Sequence, residues 1–181
     1  MMTRSRSILR LLCRDQRGVA AVEFATSAAF LIVGVLNAVD VGVYTYRRME
    51  VENAAQVAAR AAWKTCYDQS YMLPATQNCP GLNAAITAAI QSTSLGSAVS
   101  LSTGYPAEGY YCVTATNALQ AVGDLSNKPT SCSAAGAANA IPGDYIQIGV
   151  TYTYTSLMPG LTVISAWGLS SISMVSWMRL S

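Results

Sequence analysis

The sequence predicts an α+β chain: a long N-terminal transmembrane helix packed on a small antiparallel sheet, with a second short helix. Three observations predict it. An uncharged stretch long enough to cross a bilayer follows an arginine-rich N-terminus. A proline-free run of good helix formers continues that stretch, and segments of alternating apolar and polar residues follow later in the chain. Charged residues make up only 11% of the 181, and hydrophobic ones 52%; soluble domains carry roughly a quarter charged residues. This length suits an anchor plus one modest domain.

The membrane segment is Val19 to Tyr46, in which Glu23 and Asp40 are the only charges. Phe24 to Val39 is uncharged and spans about 24 Å as helix. With its flanks, Ala20 to Tyr44 can cross a hydrocarbon core of roughly 30 Å. Arg4, Arg6, Arg10, Arg14 and Arg17 against Asp15 give residues 1–18 a net charge of +4, leaving −2 for the rest. Arginines beside an apolar span mark its cytoplasmic side. The expected organisation is therefore a basic cytoplasmic leader (1–18), the transmembrane half of a long helix (19–46), its exported half (47–66) and an exported α+β head (67–181). A cleaved secretory signal fits poorly: the apolar run is too long, no A-x-A site follows it, and the chain beyond stays helical.

The exported half, RRMEVENAAQVAARAAWKTCY, contains no Gly or Pro. Val51, Ala54 or Ala55, Ala58, Ala61 or Ala62 and Thr65 fall on one helical stripe, where small side chains admit close packing. Val19 to Cys66 would form one rod of about 72 Å. A loop through Pro74 to Pro80-Gly81 leads to a helix over 82–94, with Leu82, Ile86 and Ile90 on one face and Gly96 as a stop. Ala98–Thr103 and Tyr110–Thr116 read as strands joined by a Gly-Tyr-Pro turn, and residues 117–143 as a surface loop. Asp144–Ser156 is the clearest strand, alternating Ile146, Ile148, Val150, Tyr152 and Tyr154 with Gln147, Gly149, Thr151 and Thr153. A last strand covers Ser171–Leu180.

Cys13 precedes the membrane span and belongs to the reducing side. Cys66, Cys79, Cys112 and Cys132 all fall in the exported part, the even number that an oxidising compartment produces. Four cysteines allow three connectivities. Local pairing, Cys66 with Cys79 and Cys112 with Cys132, is preferred because it staples the two loops richest in helix and strand breakers. Zinc is disfavoured, since no C-x-x-C pair occurs.

The chain has no histidine, which removes the commonest general base and metal ligand. No phosphate loop, dinucleotide fingerprint or serine–lysine motif is present, and after Lys64 the acids are only Asp68, Glu108, Asp124 and Asp144. The expectation is no enzyme, no cofactor, no metal, no nucleic acid and no small-molecule substrate.

Glu23, about one turn inside a membrane helix, should have a partner, unless it snorkels to the interface or stays protonated. Asp40, about 25 Å further along the helix, is expected at the exported interface, where a solvated carboxylate needs no special role. The neighbours of Glu23 are distinctive: Arg17-Gly18-Val19-Ala20-Ala21-Val22-Glu23-Phe24. A Gly closing a basic leader, with Glu five residues later and then an aromatic, resembles the processing site of type IV-like prepilins. RGVAAVEFA with the small-residue-rich helix after it, and VENAAQVAARAA over 51–62, resemble the TadE-like pseudopilins of the tight-adherence (Flp) pilus system. The resemblance covers roughly residues 14–62, and no Phe-Thr-Leu-Ile-Glu run of the other type IV branches is present. It implies a pilin-like fold and cleavage by a prepilin peptidase between Gly18 and Val19. It also implies insertion in the inner membrane with a periplasmic head, and assembly with other pilin and pseudopilin subunits, extracellular once in a pilus. Glu23, with Phe24 beside it, would neutralise the new Val19 α-amino group of a neighbouring subunit in a low-dielectric setting. An unprocessed single-pass protein whose periplasmic head binds a partner is the alternative.

Overall fold

The computed structural model describes residues 17–67 and 73–180. The arginines before Arg17, with Cys13, Asp15 and Asp68, lie outside the described residues. One helix, α1, runs Arg17–Cys66 without a proline to interrupt its hydrogen-bond ladder. The expected single rod forms. The described chain divides into two compact units. The first holds α1 up to Val43 together with Ser156–Gly168; the second holds Tyr44–Thr155 and Leu169–Ser181.

In the first unit, α1 is apolar on every side. Val22, Phe24, Phe30, Leu31, Ile32, Val35 and Val39 are all exposed. A helix that is hydrophobic all round belongs in a core or in lipid; no residue of the apolar window of α1 is buried. The short helix α4, Val163–Ala166, is capped by Thr162, whose hydroxyl accepts from Ser165 N.

In the second unit, the rest of α1 contributes the stripe of small residues. Val51, Ala54, Ala55, Ala58, Ala59 and Ala62 are each at most 1% exposed. Helix α2, Ala75–Asn78, falls where only a loop was expected. Its first amides, Ala75 N and Thr76 N, donate to the two carboxylate oxygens of Glu108, which supplies the cap that Pro74 cannot. Helix α3, Leu82–Gln91, buries Leu82, Ile86 and Ile90 as their spacing predicts.

The sheet comprises β1 Val99–Leu101, β2 Ala107–Val113, β3 Leu119–Ala121, β4 Gly143–Thr153 and β5 Ser171–Arg179. All pairings are antiparallel, and β4 is central. Its inward residues Ile146, Ile148 and Val150 are fully buried. β5 follows one edge of β4 from Tyr145 to Thr153. The other edge is shared: β1 lies opposite Val150–Tyr152, and β2 opposite Gly143–Gln147. The two strands that the Gly-Tyr-Pro stretch joins do not pair with each other. That stretch is an excursion within one interrupted edge. Ser102 N donates to Gly149 O at 2.9 Å and Tyr105 N to Ser102 O at 3.1 Å, and the Tyr105 ring lies on Gly149. A Cβ at Gly149 would stand 2.5 Å from Tyr105 Cδ2, so this position has room for glycine alone.

Residues 117–143 also hold more structure than a plain loop. β3 pairs with β2, and a 3-10 turn covers Ser133–Ala135. Bridges link Cys66 with Cys79 and Cys112 with Cys132, with Cα separations of 5.8 and 5.7 Å. The first ties the end of α1 to the residue after α2; the second ties β2 to the long connection toward β4. The outcome is an α+β, pilin-like arrangement of long helix, antiparallel sheet and short helices.

Candidate functional site

The first turns of α1 present Gly18, Val19, Glu23 and Phe24. All four are exposed, Val19 at 60% and Phe24 at 76%. Nothing lies within 4 Å of where a Cβ on Gly18 would stand, so packing within the chain places no demand for glycine there. The Thr26 hydroxyl donates back to the carbonyls of Val22 and Glu23 at 3.0 Å and does not engage the Glu23 carboxylate. Among the described residues, that carboxylate has neither an ion pair nor a hydrogen bond. It stands on a helix surface formed otherwise of Val, Ala, Phe, Ser and Thr.

Asp40 behaves differently from expectation. Far from being solvated, it is fully buried. The Ser156 hydroxyl donates to its Oδ2 at 2.8 Å and Leu157 N to its Oδ1 at 3.0 Å. One turn earlier on α1, Asn37 accepts from Val163 N at 2.8 Å and donates to Val33 O at 2.8 Å. Ser156 Oγ and Thr162 Oγ1 share a 2.7 Å hydrogen bond, and Gly160 N donates to Ser165 Oγ at 2.7 Å. Two polar side chains in an apolar helix thus clasp the Ser156–Gly168 segment. Reading along the sequence missed this clasp; an Asn and an Asp at i and i+3 on one helix face were the available signal.

Residues 18–60 match the family model described as TadE-like protein. Over that stretch the chain is TadE-like. No curated protein and no solved structure matches the chain. The TadE-like stretch opens at Gly18, includes Glu23, Asn37 and Asp40, and continues through most of the buried alanine stripe. It stops short of Cys66, so the disulfide-bonded head lies beyond it.

The head also has an open cleft of about 520 Å³ lined by Glu108, Tyr110, Val122, Asp124 and Ser126, among others. Its carboxylates already hold the fold together. Glu108 caps α2, and Asp124 accepts from the amide and hydroxyl of Ser126. The buried Asp144 pairs with Lys128, whose ammonium lies 5.5 Å from the Tyr110 ring centre. Burial, then the nearby Asp144, pushes the Tyr110 hydroxyl above its ordinary range, which keeps it neutral. Among the described residues, no group of three or more Cys, Asp or Glu is placed to hold a metal ion.

Proposed function

We propose that this TadE-like protein is a minor pilin or pseudopilin of a tight-adherence (Flp) pilus system, without enzymatic activity. It would insert once in the inner membrane, N-terminus in the cytoplasm and head in the periplasm. A prepilin peptidase would cut between Gly18 and Val19 and leave Glu23 to meet the Val19 amine of an adjacent subunit. The observation that carries this is the unpartnered carboxylate of Glu23, exposed on an apolar helix and five residues beyond a glycine that packing does not require. A charge in that setting needs a counterion, and cleavage would generate one on the same helix end of a second copy. The α1 span matches a bilayer in length and composition, and two disulfides suit a compartment outside the cytoplasm.

The test is the mature N-terminus. Intact mass or N-terminal sequencing of protein from piliated cells should give a chain beginning at Val19, and Gly18→Leu should retain the leader. Glu23→Val should be cleaved and folded yet fail to enter the fibre. A chain that keeps residues 1–18 while fibres grow would leave the unprocessed membrane-anchored binding protein as the better account.

A further inference from the structure

The Ser156–Gly168 segment, SLMPGLTVISAWG, has no charged residue. Thr162 and Ile164 are buried, and large apolar side chains turn outward. Leu157, Leu161 and Trp167 are 53, 64 and 73% exposed. An outward apolar loop on an exported head would ordinarily be a liability in water. This one is fastened, through Asn37 and Asp40, to the part of α1 that is apolar all round.

Its backbone is unusually well satisfied for a loop. Apart from Thr162, Ile164 and the imino residue Pro159, every residue from Leu157 to Gly168 donates its amide to an acceptor in the same unit. The acceptors are Asp40, Asn37 and groups of the loop itself. Water on the protein surface would make most of these bonds dispensable. In lipid they are obligatory, because no solvent can replace them. Depth agrees. Asp40 lies seventeen residues beyond Glu23, about 25 Å along the helix, close to the far boundary of a hydrocarbon core of roughly 30 Å. Trp167, exposed on the same loop, is of the residue type that membrane interfaces favour.

We infer that Ser156–Gly168 is a second membrane contact: a hydrogen-bonded loop that sits in the outer leaflet of the bilayer that α1 crosses, with Leu157, Leu161 and Trp167 toward the lipid. Asn37 and Asp40 are then the polar groups that let a non-helical segment share that environment. The inference rests on α1 spanning the membrane, and the experiment separates the two.

The full chain is reconstituted in phosphatidylcholine vesicles with or without brominated acyl chains, which quench tryptophan on contact. Trp63→Phe with Trp177→Phe leaves Trp167 as the sole reporter; both replaced rings are partly exposed, so phenylalanine is tolerable. Phe30→Trp with all three tryptophans changed to phenylalanine reports on the mid-helix. Leu161→Trp with the three changed likewise is a second loop reporter should the Trp167 variant fold poorly. Brominated lipid should lower Trp167 emission on the order of twofold or more, as for any ring held at the acyl-chain boundary, while aqueous iodide has little effect. Quenching of the Phe30→Trp chain without quenching of Trp167, together with iodide access to Trp167, overturns the loop contact and leaves the spanning helix intact. Trp167 shielded from both quenchers means that protein covers it, which equally overturns the inference. A Phe30→Trp chain untouched by brominated lipid removes the spanning helix and the loop contact together.

Discussion

Asp40→Ala isolates the clasp, because the side chain is fully buried and two of its hydrogen bonds are identified. The substitution strands the Leu157 amide and costs the Ser156 hydroxyl its bond to Asp40, leaving it the one to Thr162 Oγ1. A hydrogen bond to a charged acceptor contributes roughly 1.5–3 kcal/mol net, and an unpaired buried donor costs about 1–3 kcal/mol. The two bonds share one acceptor and are not independent, so the expected loss is roughly 2–5 kcal/mol for closing the loop. At about 1.4 kcal/mol per decade, opening of Ser156–Gly168 rises between about 30-fold and several thousand-fold. Amide hydrogen exchange of the reconstituted chain reads this directly at Leu157 and Val163. Asp40→Asn retains one carbonyl oxygen and should fall between parent and alanine. Asn37→Ala should expose Val163 more than Leu157, since only Val163 donates to it. Exchange at Leu157 within about threefold of the parent in Asp40→Ala would refute the clasp, because local opening would then be insensitive to the acceptor.

The disulfides close loops of 13 and 20 residues; the chain-entropy relation gives about 2.9 and 3.3 kcal/mol. Changing Cys112 and Cys132 together to alanine should therefore lower the denaturant midpoint of the head slightly more than changing Cys66 and Cys79, and equal stability with and without reductant would contradict this. Ala58→Leu inserts a large side chain where the stripe has no exposed surface and should destabilise the head by about 1–3 kcal/mol, whereas Arg60→Leu on the exposed side should move the midpoint little. Burial pushes the Glu50 carboxyl up, but hydrogen bonds from Ser94 and Arg47 outweigh it and hold it below its ordinary 4.5. A depressed carboxyl contributes stability above that value and loses it as pH falls through the lower folded one. Thermal melts of Glu50→Gln should thus show less acid destabilisation below about pH 4.5 than the parent, and identical acid profiles would show that Glu50 is not linked to folding.

Much of the fold was legible because its signals are local or strictly periodic. The proline-free, alanine-rich run from Arg17 to Cys66 could be little but helix. Ile146, Ile148 and Val150 alternate as a strand with one buried face must, and all three are fully buried. Strand partners were less legible. Ala98–Thr103 and Tyr110–Thr116 flank a turn signal, which says nothing of what either strand pairs with. Both pair with β4, about fifty and 32–40 residues on, since a ladder is chosen by tertiary packing and not by proximity in the chain. Helix α2 was hidden for the same reason: its amides are capped by Glu108, more than thirty residues away.

The two acidic residues of the apolar helix show where local reading fails and what replaces it. Position along the span suggested that Asp40 was merely near water; burial and a hydrogen-bond partner 116 residues distant in sequence overturn that. One physical rule covers both residues, that a carboxylate within an apolar helix must find a partner. For Asp40 the partner is inside the chain, and its bonding capacity is directed to Ser156 and Leu157. For Glu23 no partner occurs among the described residues, although it stands on the same apolar helix. A side chain already satisfied at home has little to offer a neighbour. The unsatisfied one can take up a proton, reach toward the interface or meet a cation from elsewhere, and the proposal of a partner subunit therefore concerns Glu23 and not Asp40.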